Sequence, residues 1–361
     1  MIWVIVGAQY GSEGKGAFCA YAARGYGFKA AVRGGGPQAG HTFYDRRFGG
    51  RCVVRQVPVA CVVDSRCIGY IGPGAVVDLD VLREEIEKYE LQGRLFVHPQ
   101  ATVLMAGHKE AEERMAGKGL IPGSTKEGVG AARATRALRE ATLLWNYWPK
   151  AWGTDWVDSE LKVYSDILRW SVGPERVMAE GAQGFGLSNF HGAYPYVTSA
   201  DTTPPAVLSE CGLPILGTER VIVVTRTMPI RVGGPSGPFQ SAELSWGEIG
   251  QQPEFTTVTG RQRRVAEFEW GEFERMLAIV RPNYAALTFC DYLDPAIRKE
   301  PMANCPKVLE FWREVHKRVV CPWIGVGGLQ YEFRGAMTGV TMFDYDGSKE
   351  KQNGQMGAEQ A

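Results

Sequence analysis

Near its start the chain carries an unbroken apolar run, Ile2-Trp3-Val4-Ile5-Val6, followed at once by Gly7-Ala8-Gln9-Tyr10-Gly11-Ser12-Glu13-Gly14-Lys15-Gly16. The run reads as a buried strand, and the segment after it as a glycine-rich loop opening a helix at about Gly16–Arg24. Such a loop lets backbone N–H groups approach phosphate oxygens, and the helix N-terminus behind it favours an anion. Lys15 adds a mobile positive charge. The Walker pattern does not fit: counted from Gly7, Ser12 stands where its second glycine belongs, and Gly16 follows the lysine. On these residues alone, a tight turn that binds nothing explains the glycines as well.

Short apolar runs recur further on, at Ala30–Val32, Val53–Val57, Cys67–Ile71, Val177–Ala179, Val221–Thr225 and Ala285–Phe289. Helical patterns fall between them, at Asp80–Tyr89 with Asp80 as its cap and at Arg133–Trp145. This alternation predicts an α/β fold, a large, mostly parallel central sheet flanked by helices. Residues 1–345 are expected to form a single catalytic domain, although 361 residues also suffice for two modest ones. Residues 346–361 are polar, lack β-branched side chains and are expected to form a disordered tail.

Formal net charge is zero, which argues against general affinity for nucleic acid or an anionic membrane. The N-terminal segment has neither a basic leader nor a long apolar stretch, so a cytoplasmic location is expected. Eight cysteines, none in C-x-x-C spacing, read as reduced and buried thiols rather than a metal or disulfide frame.

A second glycine-dense segment, Arg33-Gly34-Gly35-Gly36-Pro37-Gln38-Ala39-Gly40-His41-Thr42, follows the next strand and is expected to lie beside the first loop. His41 within it is able to donate a proton near neutral pH. Together, Gly11-x-Glu13-Gly14-Lys15-Gly16 and Ala39-Gly40-His41-Thr42 resemble the signature pair of adenylosuccinate synthetases. Glu180-Gly181-Ala182-Gln183-Gly184 and His191-Gly192-x-Tyr194-Pro195-x-Val197-Thr198-Ser199 resemble that family's nucleotide-binding segment. Gly123-Ser124-Thr125 with Gly128-Val129-Gly130, Thr259-Gly260-Arg261-x-Arg263-Arg264, and Leu287-Thr288-x-x-Asp291 resemble its substrate phosphate loop, aspartate loop and base-recognition strand.

The resemblance implies a ligase that phosphorylates the purine 6-oxygen and then lets the amino group of L-aspartate displace phosphate at C6. Ser12, Lys15, His41 and Gln183 would be catalytic, with His41 contributing about 10²–10⁴ in rate as an acid. Glu13, Gly14, Lys15, Gly16, Gly40, His41, Thr42, Arg263 and Asp291 would bind the triphosphate. Ser12, Gln38, Ser124, Thr125, Arg139, Gln183, Leu187 and Thr198 would hold the substrate nucleotide. Thr257, Val258, Thr259 and Arg261 would bind aspartate, Arg261 as a bidentate donor to its carboxylate. Ser12 and Gly40 would face Mg²⁺. Arg139 aligns with an arginine that family members insert into the partner's site, which implies a homodimer.

Five positions depart from the family pattern. Ser12 replaces an aspartate read as the base at purine N1, Pro37-Gln38 replaces His-Asn, and Val258 stands where the aspartate loop usually has threonine. The changes at Ser12 and Pro37-Gln38 resemble the phage branch that uses dGMP: a short hydroxyl leaves space for a purine 2-amino group and accepts a hydrogen bond from it. Phe289 stands where the family carries a lysine in its guanine pocket, which puts ATP or dATP ahead of GTP as donor. Two other readings are adenylosuccinate synthesis from IMP and a nucleotide-binding protein without chemistry.

Overall fold

The computed structural model describes residues 1–151, 162–163, 175–256, 260–327 and 332–335. Ten strands form one sheet: β1 Ile2–Gly7, β2 Ala30–Arg33, β3 Ile68–Ile71, β4 Leu95–Val97, β5 Lys162–Val163, β6 Val177–Glu180, β7 Thr218–Arg226, β8 Tyr284–Thr288, β9 Trp323–Gly327 and β10 Glu332–Gly335. Their spatial order is β10-β9-β8-β7-β1-β6-β2-β3-β4-β5. Every pair is parallel except β9 with β10. The expected mostly parallel α/β sheet is therefore what the chain forms.

β1 lies at the centre, and all its residues are buried. Alternate side chains point to opposite faces, so Trp3 and Ile5 enter one hydrophobic cluster while Ile2, Val4 and Val6 enter the other. This is why the run is apolar throughout: a sheet covered on both faces has no wet side to mark with polar residues. From β1 the chain leaves in one direction to β2 and later returns to add β7 and β8 on the other side. The crevice at such a switch, beyond the carboxyl ends of the strands, is where open α/β sheets bind ligands.

The helix after β1 spans Lys15–Tyr26, a turn longer than expected, and starts from Gly14 in a left-handed conformation, φ 89°. Its buried face is built largely of Gly16, Ala17, Ala20, Ala22 and Ala23, small residues that let it lie close to its neighbours. His41–Asp45 packs on its first turn as one strand of a two-stranded ribbon, paired antiparallel with Gly50–Val54. The extended segment expected at Val53–Val57 thus ends at Val54, because the ribbon register closes there.

Other boundaries also differ from expectation. The helix at Leu79–Lys88 is capped by Asp78, whose carboxylate accepts from the backbone N–H groups of Asp80 and Val81; Asp80 lies in the first turn. Arg133–Trp145 is two helices, Val129–Ala137 and Leu144–Ala151. Gly128, with φ 81°, starts the first one early, and Arg139 at φ 66° ends it. The strands that feed the two glycine loops are not adjacent, since β6 is inserted between β1 and β2, yet the loops themselves meet where Gly16 packs against His41 and Thr42. All eight cysteines are buried and unpaired, as expected. No helix among the described residues is long and apolar enough to cross a membrane. The expected tail, 346–361, lies outside the described residues.

The seating of the ribbon on the helix yields a prediction. A Cβ on Gly16 would stand 2.8 Å from the Thr42 carbonyl oxygen and 2.9 Å from the His41 Cβ. Gly16→Ala should therefore destabilise by about 1–3 kcal/mol in urea denaturation. Gly107→Ala, with open space around it, should leave the midpoint unchanged or raise it. Equal midpoints for the two variants would contradict such close packing.

Candidate active site

The first loop is built around its own carboxylate. Glu13 is fully buried; its Oε1 accepts from the N–H groups of Gln9 (3.1 Å) and Gly11 (2.8 Å), and its Oε2 from Lys15 Nζ at 2.7 Å. A Cβ at Gly7 or Gly184 would collide with that carboxylate, at 2.6 and 2.1 Å, so glycine is required at both positions. Gly11, Ser12 and Gly14 all take positive φ, 86°, 58° and 89°. The Glu13 carbonyl accepts from Thr288 Oγ1 at 2.7 Å, which ties the loop to the end of β8.

Beyond this loop opens a cavity of about 980 Å³. On one side of β1 its wall comes from segments following β8 and β9, including Phe289, Asp291, Tyr292 and Arg298. On the other it comes from segments following β2 and β6, with Ser124, Thr125 and Gly130 completing it. A glycine-rich anion-binding loop in the middle with a pocket to either side suits a triphosphate on one side and an acceptor that meets its terminal phosphoryl group on the other.

His41 is buried, with Nδ1 3.4 Å from Glu180 Oε2 and Nε2 without a protein partner. Burial holds the imidazole well below its ordinary pKa, with the charges of Arg33 and Lys15 acting the same way. Burial raises the Glu180 carboxyl to about 7, against the pull of Arg33. The pair is therefore a neutral imidazole beside a carboxylic acid that titrates near neutrality, and its protons belong to both groups together. When Glu180 is protonated and donates to Nδ1, His41 carries its own proton on Nε2, the nitrogen left free to act as a donor.

At the cavity's third border, Glu254 accepts from Arg226 Nη2 and from Arg263 Nη1 (2.7 Å), as well as from Tyr292 Oη (2.7 Å). Burial pushes this carboxyl up, but Arg226, and then Arg263 and Tyr292, hold it down at about 2. Glu112 ties Ser124 to the helix at Val129: its Oε1 accepts from Gly130 N at 2.7 Å and its Oε2 from Ser124 Oγ at 3.2 Å.

No group of three or more His, Cys, Asp or Glu side chains among the described residues is arranged to hold a metal ion. The cavity wall offers the backbone of Gly40 and the hydroxyl of Ser12. That donor set fits Mg²⁺ carried mainly on substrate phosphate oxygens and water, as this ion commonly is, and does not fit an all-protein cage.

The sequence profile of the family described as adenylosuccinate synthetase matches residues 4–152 and 153–298. The chain belongs to the adenylosuccinate synthetase family. It is therefore a carbon–nitrogen ligase. It is 36% identical over 304 residues, 81% of this chain and 86% of the relative, to the N6-succino-2-amino-2'-deoxyadenylate synthase of Vibrio phage phiVC8. It is also 33% identical over 332 residues to the adenylosuccinate synthetase of Thermococcus sibiricus, spanning 89% of this chain and 93% of that one. Among solved structures it resembles the Cyanophage S-2L succinoaminodeoxyadenylate synthetase bound to dGMP and dATP as an energy donor. That likeness has a TM-score of 0.79 at 29% identity and covers 93% of this chain and 95% of the other.

Most residues singled out by the family pattern meet in this one cavity. Ser12, Glu13, Gly14, Lys15 and Gly16 line it from the first loop, and Gln38, Gly40, His41 and Thr42 from the second. Ser124, Thr125, Gln183, Leu187, Thr198, Arg263 and Asp291 complete the set. One reading changes in kind: Lys15 is a pinned charge, 4% exposed, not a mobile one, while the Glu13 side chain turns inward and its backbone is the part left for phosphate, as expected. Arg139 is exposed and does not line its own chain's cavity. Arg261 is also outside the lining, although Thr256, whose Oγ1 accepts from its backbone N–H, is part of it. Thr257, Val258 and Thr259 lie outside the described residues. Sequence reading assigned no role to Glu112, Glu254 or Arg226, and quoted Glu180 only as part of a motif. A carboxylate at the end of a strand whose interior is wholly apolar was the available signal for Glu180.

The Glu180–His41 contact makes a pH-dependent prediction. With the carboxyl raised to about 7, its proton is lost as pH rises through that value, and His41 then offers a lone pair rather than an N–H to the cavity. Turnover of the wild type should fall on the alkaline side of about 7. Glu180→Gln donates to Nδ1 at every pH, so it should retain activity at pH 6 and lose that alkaline limb. An unchanged profile would remove Glu180 from the proton chemistry.

Proposed function

We propose that this ligase joins L-aspartate to C6 of dGMP, forming N6-succino-2-amino-2'-deoxyadenylate with ATP or dATP as phosphoryl donor. The observation carrying this reading is Ser12: it sits at the exposed tip of the first loop, on the cavity wall, with a short hydroxyl where the family pattern has a carboxylate. Replacing a carboxylate by a hydroxyl removes bulk and negative charge, and leaves an acceptor for a 2-amino N–H. The named activity of the phage relatives supports the same substrate.

In this reading the purine loses its N1 proton to water as the 6-oxygen attacks the γ-phosphorus, the bridge to the leaving diphosphate breaks, and a 6-phosphoryl nucleotide forms. The aspartate amino nitrogen then bonds to C6 and inorganic phosphate departs with the 6-oxygen. Backbone N–H groups of residues 13–16 and Lys15 hold the donor phosphates at the positive end of the helix. His41 Nε2 donates to the oxygen that gains charge as the bridge breaks, oriented by Glu180. Gln183, held at φ 52°, Gln38, Ser124, Thr125, Leu187 and Thr198 position the acceptor nucleotide. Arg261, with the segment 257–259, takes the aspartate carboxylate. Arg263 adds positive charge at that border while its own charge is matched by Glu254. The backbone of Gly40 and the side chain of Ser12 would face a Mg²⁺ ion carried on the substrate phosphates, which would supply charge neutralisation between donor and acceptor oxygens. Arg139, exposed at the end of its helix, reaches the site of a second copy in a homodimer.

Incubation with aspartate, Mg²⁺ and ATP, comparing dGMP with IMP by mass spectrometry, tests this directly. Succinylated product from dGMP and not from IMP is the expected result; product from IMP alone would make this an ordinary adenylosuccinate synthetase. Ser12→Asp should lower kcat/KM for dGMP by at least ~10-fold, the scale of a crowded or mispaired group in a specificity pocket. Unchanged dGMP turnover in that variant would discard the space argument.

A further inference from the structure

Behind the cavity, on the side of β2, one arginine joins two of the segments that form its wall. Arg55 follows the ribbon strand Gly50–Val54; its Nε donates to the Pro37 carbonyl at 2.6 Å and its Nη2 to Glu127 Oε2 at 2.7 Å. Pro37 immediately precedes Gln38, and Glu127 stands between Thr125 and Gly130; Gln38, Thr125 and Gly130 all line the cavity. Arg55 and Glu127 do not, and their side chains are only 25% and 23% exposed. The guanidinium is therefore a strut set behind the wall.

The strut has a fixed base. Glu85, buried on the helix Leu79–Lys88, accepts from the backbone N–H groups of Arg55, Gln56 (3.0 Å) and Val57 (3.0 Å). The Gln56 side chain donates to the Asp78 carbonyl at 2.7 Å and accepts from the Asp78 N–H at 2.8 Å. The turn at the other end is less comfortable, since Lys126 and Gly128, on either side of Glu127, take φ 62° and 81°. A separate tie lies deeper: Glu210 accepts from the Gly35 N–H at 3.0 Å and from Arg133 Nη1 at 2.6 Å. That tie joins the root of the second glycine loop to the body of the helix Val129–Ala137. Arg55 joins the tips, Pro37-Gln38 and Ser124–Glu127.

We propose that Arg55 is a positioning residue for the acceptor nucleotide: by holding Pro37 and Glu127 together, it sets the gap between Gln38 and the Ser124-Thr125 turn before the acceptor arrives. One planar guanidinium that bonds to both segments fixes their separation and their direction, which a single ammonium on a flexible stem does not. Walls arranged in advance lose less conformational freedom when the ligand binds. The groups at the phosphoryl transfer have anchors of their own, Glu13 for Lys15 and Glu180 for His41. The strut therefore acts on acceptor affinity and leaves the donor and the chemical step alone. This inference rests on the placement of the acceptor beside Gln38, Ser124 and Thr125 made above.

The test is kcat and KM for dGMP, ATP and aspartate in the wild type, Arg55→Met, Arg55→Lys, Glu127→Ala and the Arg55→Met/Glu127→Ala double variant. Arg55→Met should raise the KM for dGMP about tenfold, the scale of a lost hydrogen bond to a charged group, and leave kcat and the KM for ATP within about twofold. Arg55→Lys should restore part of the loss. Glu127→Ala should raise the KM for dGMP about threefold, because the bond to Pro37 survives. The double variant should be no worse than Arg55→Met, since both changes remove one strut. An unchanged KM for dGMP, an equal rise for every substrate, or effects that multiply in the double variant overturns the proposal. Should Arg55→Met fail to fold, Glu127→Ala carries the same test from a surface turn. If IMP reacts in place of dGMP, its KM is read instead. If neither reacts, titration calorimetry with dGMP, IMP and ADP reads the selective loss of acceptor affinity, which separates failure of the strut from failure of the proposed reaction.

Discussion

The architecture of this active site depends on burying the carboxylate of Glu13 inside the loop that receives phosphate. An ionised carboxylate taken out of water costs several kcal/mol unless it is paired and hydrogen-bonded. Here it is matched at both oxygens, by Lys15 Nζ on one and by two backbone N–H groups on the other. The loop is consequently wound round an internal carboxylate. Lys15 is thereby committed twice, to Glu13 and to the cavity it lines. Part of the attraction for a triphosphate must then come from the helix N-terminus and the backbone, which cost nothing further to organise.

The parallel sheet explains where such groups can be placed. β2 and β6 are apolar up to their last residue and β7 is apolar over Val221–Val224, yet β2 ends in Arg33, β6 in Glu180 and β7 in Arg226, all essentially inaccessible. Each ionisable group emerges at the carboxyl end of its strand, where the layer of hydrophobic packing stops and the cavity starts. Because the strand order places β6 between β1 and β2, Glu180 stands between the two glycine loops and can orient the histidine of the second. The same low dielectric raises Glu180 to about 7 and lowers His41, so below that pH both are neutral and the proton on His41 Nε2 can be offered to a developing negative charge.

Much of this was legible because the deciding information is local. An apolar run with no polar alternation, then glycines, then a helix, is a statement about consecutive residues, and β1, β2, β6, β7 and β8 were found that way to within a few positions. The motif residues collected from distant segments were placed by resemblance, and most of them line one cavity. What could not be read was long-range pairing between individual side chains. Nothing local in the sequence says that Glu13 turns inward, that Glu180 faces a histidine 139 residues away, or that Arg298 closes on Asp291. Boundaries failed where a single residue accepted a left-handed conformation, as at Arg139, or where two aspartates competed to cap one helix, as at Asp78 and Asp80.

The division between scaffold and tip also accounts for how residue 12 can change without loss of the fold. Its φ of 58° is a left-handed conformation that short polar residues tolerate better than branched or bulky ones, so Asp and Ser are both acceptable there. Its neighbours carry the strain of the turn as glycines, Gly11 and Gly14, and Glu13 carries its internal hydrogen bonds. No bond that shapes the loop uses the Ser12 side chain; only its carbonyl is engaged, by Arg226 at 3.3 Å. A residue that faces the substrate and supports nothing else is free to be selected by the substrate alone. The phosphate loop therefore joins a rigid, internally neutralised frame to one exposed position at which specificity can diverge without refolding.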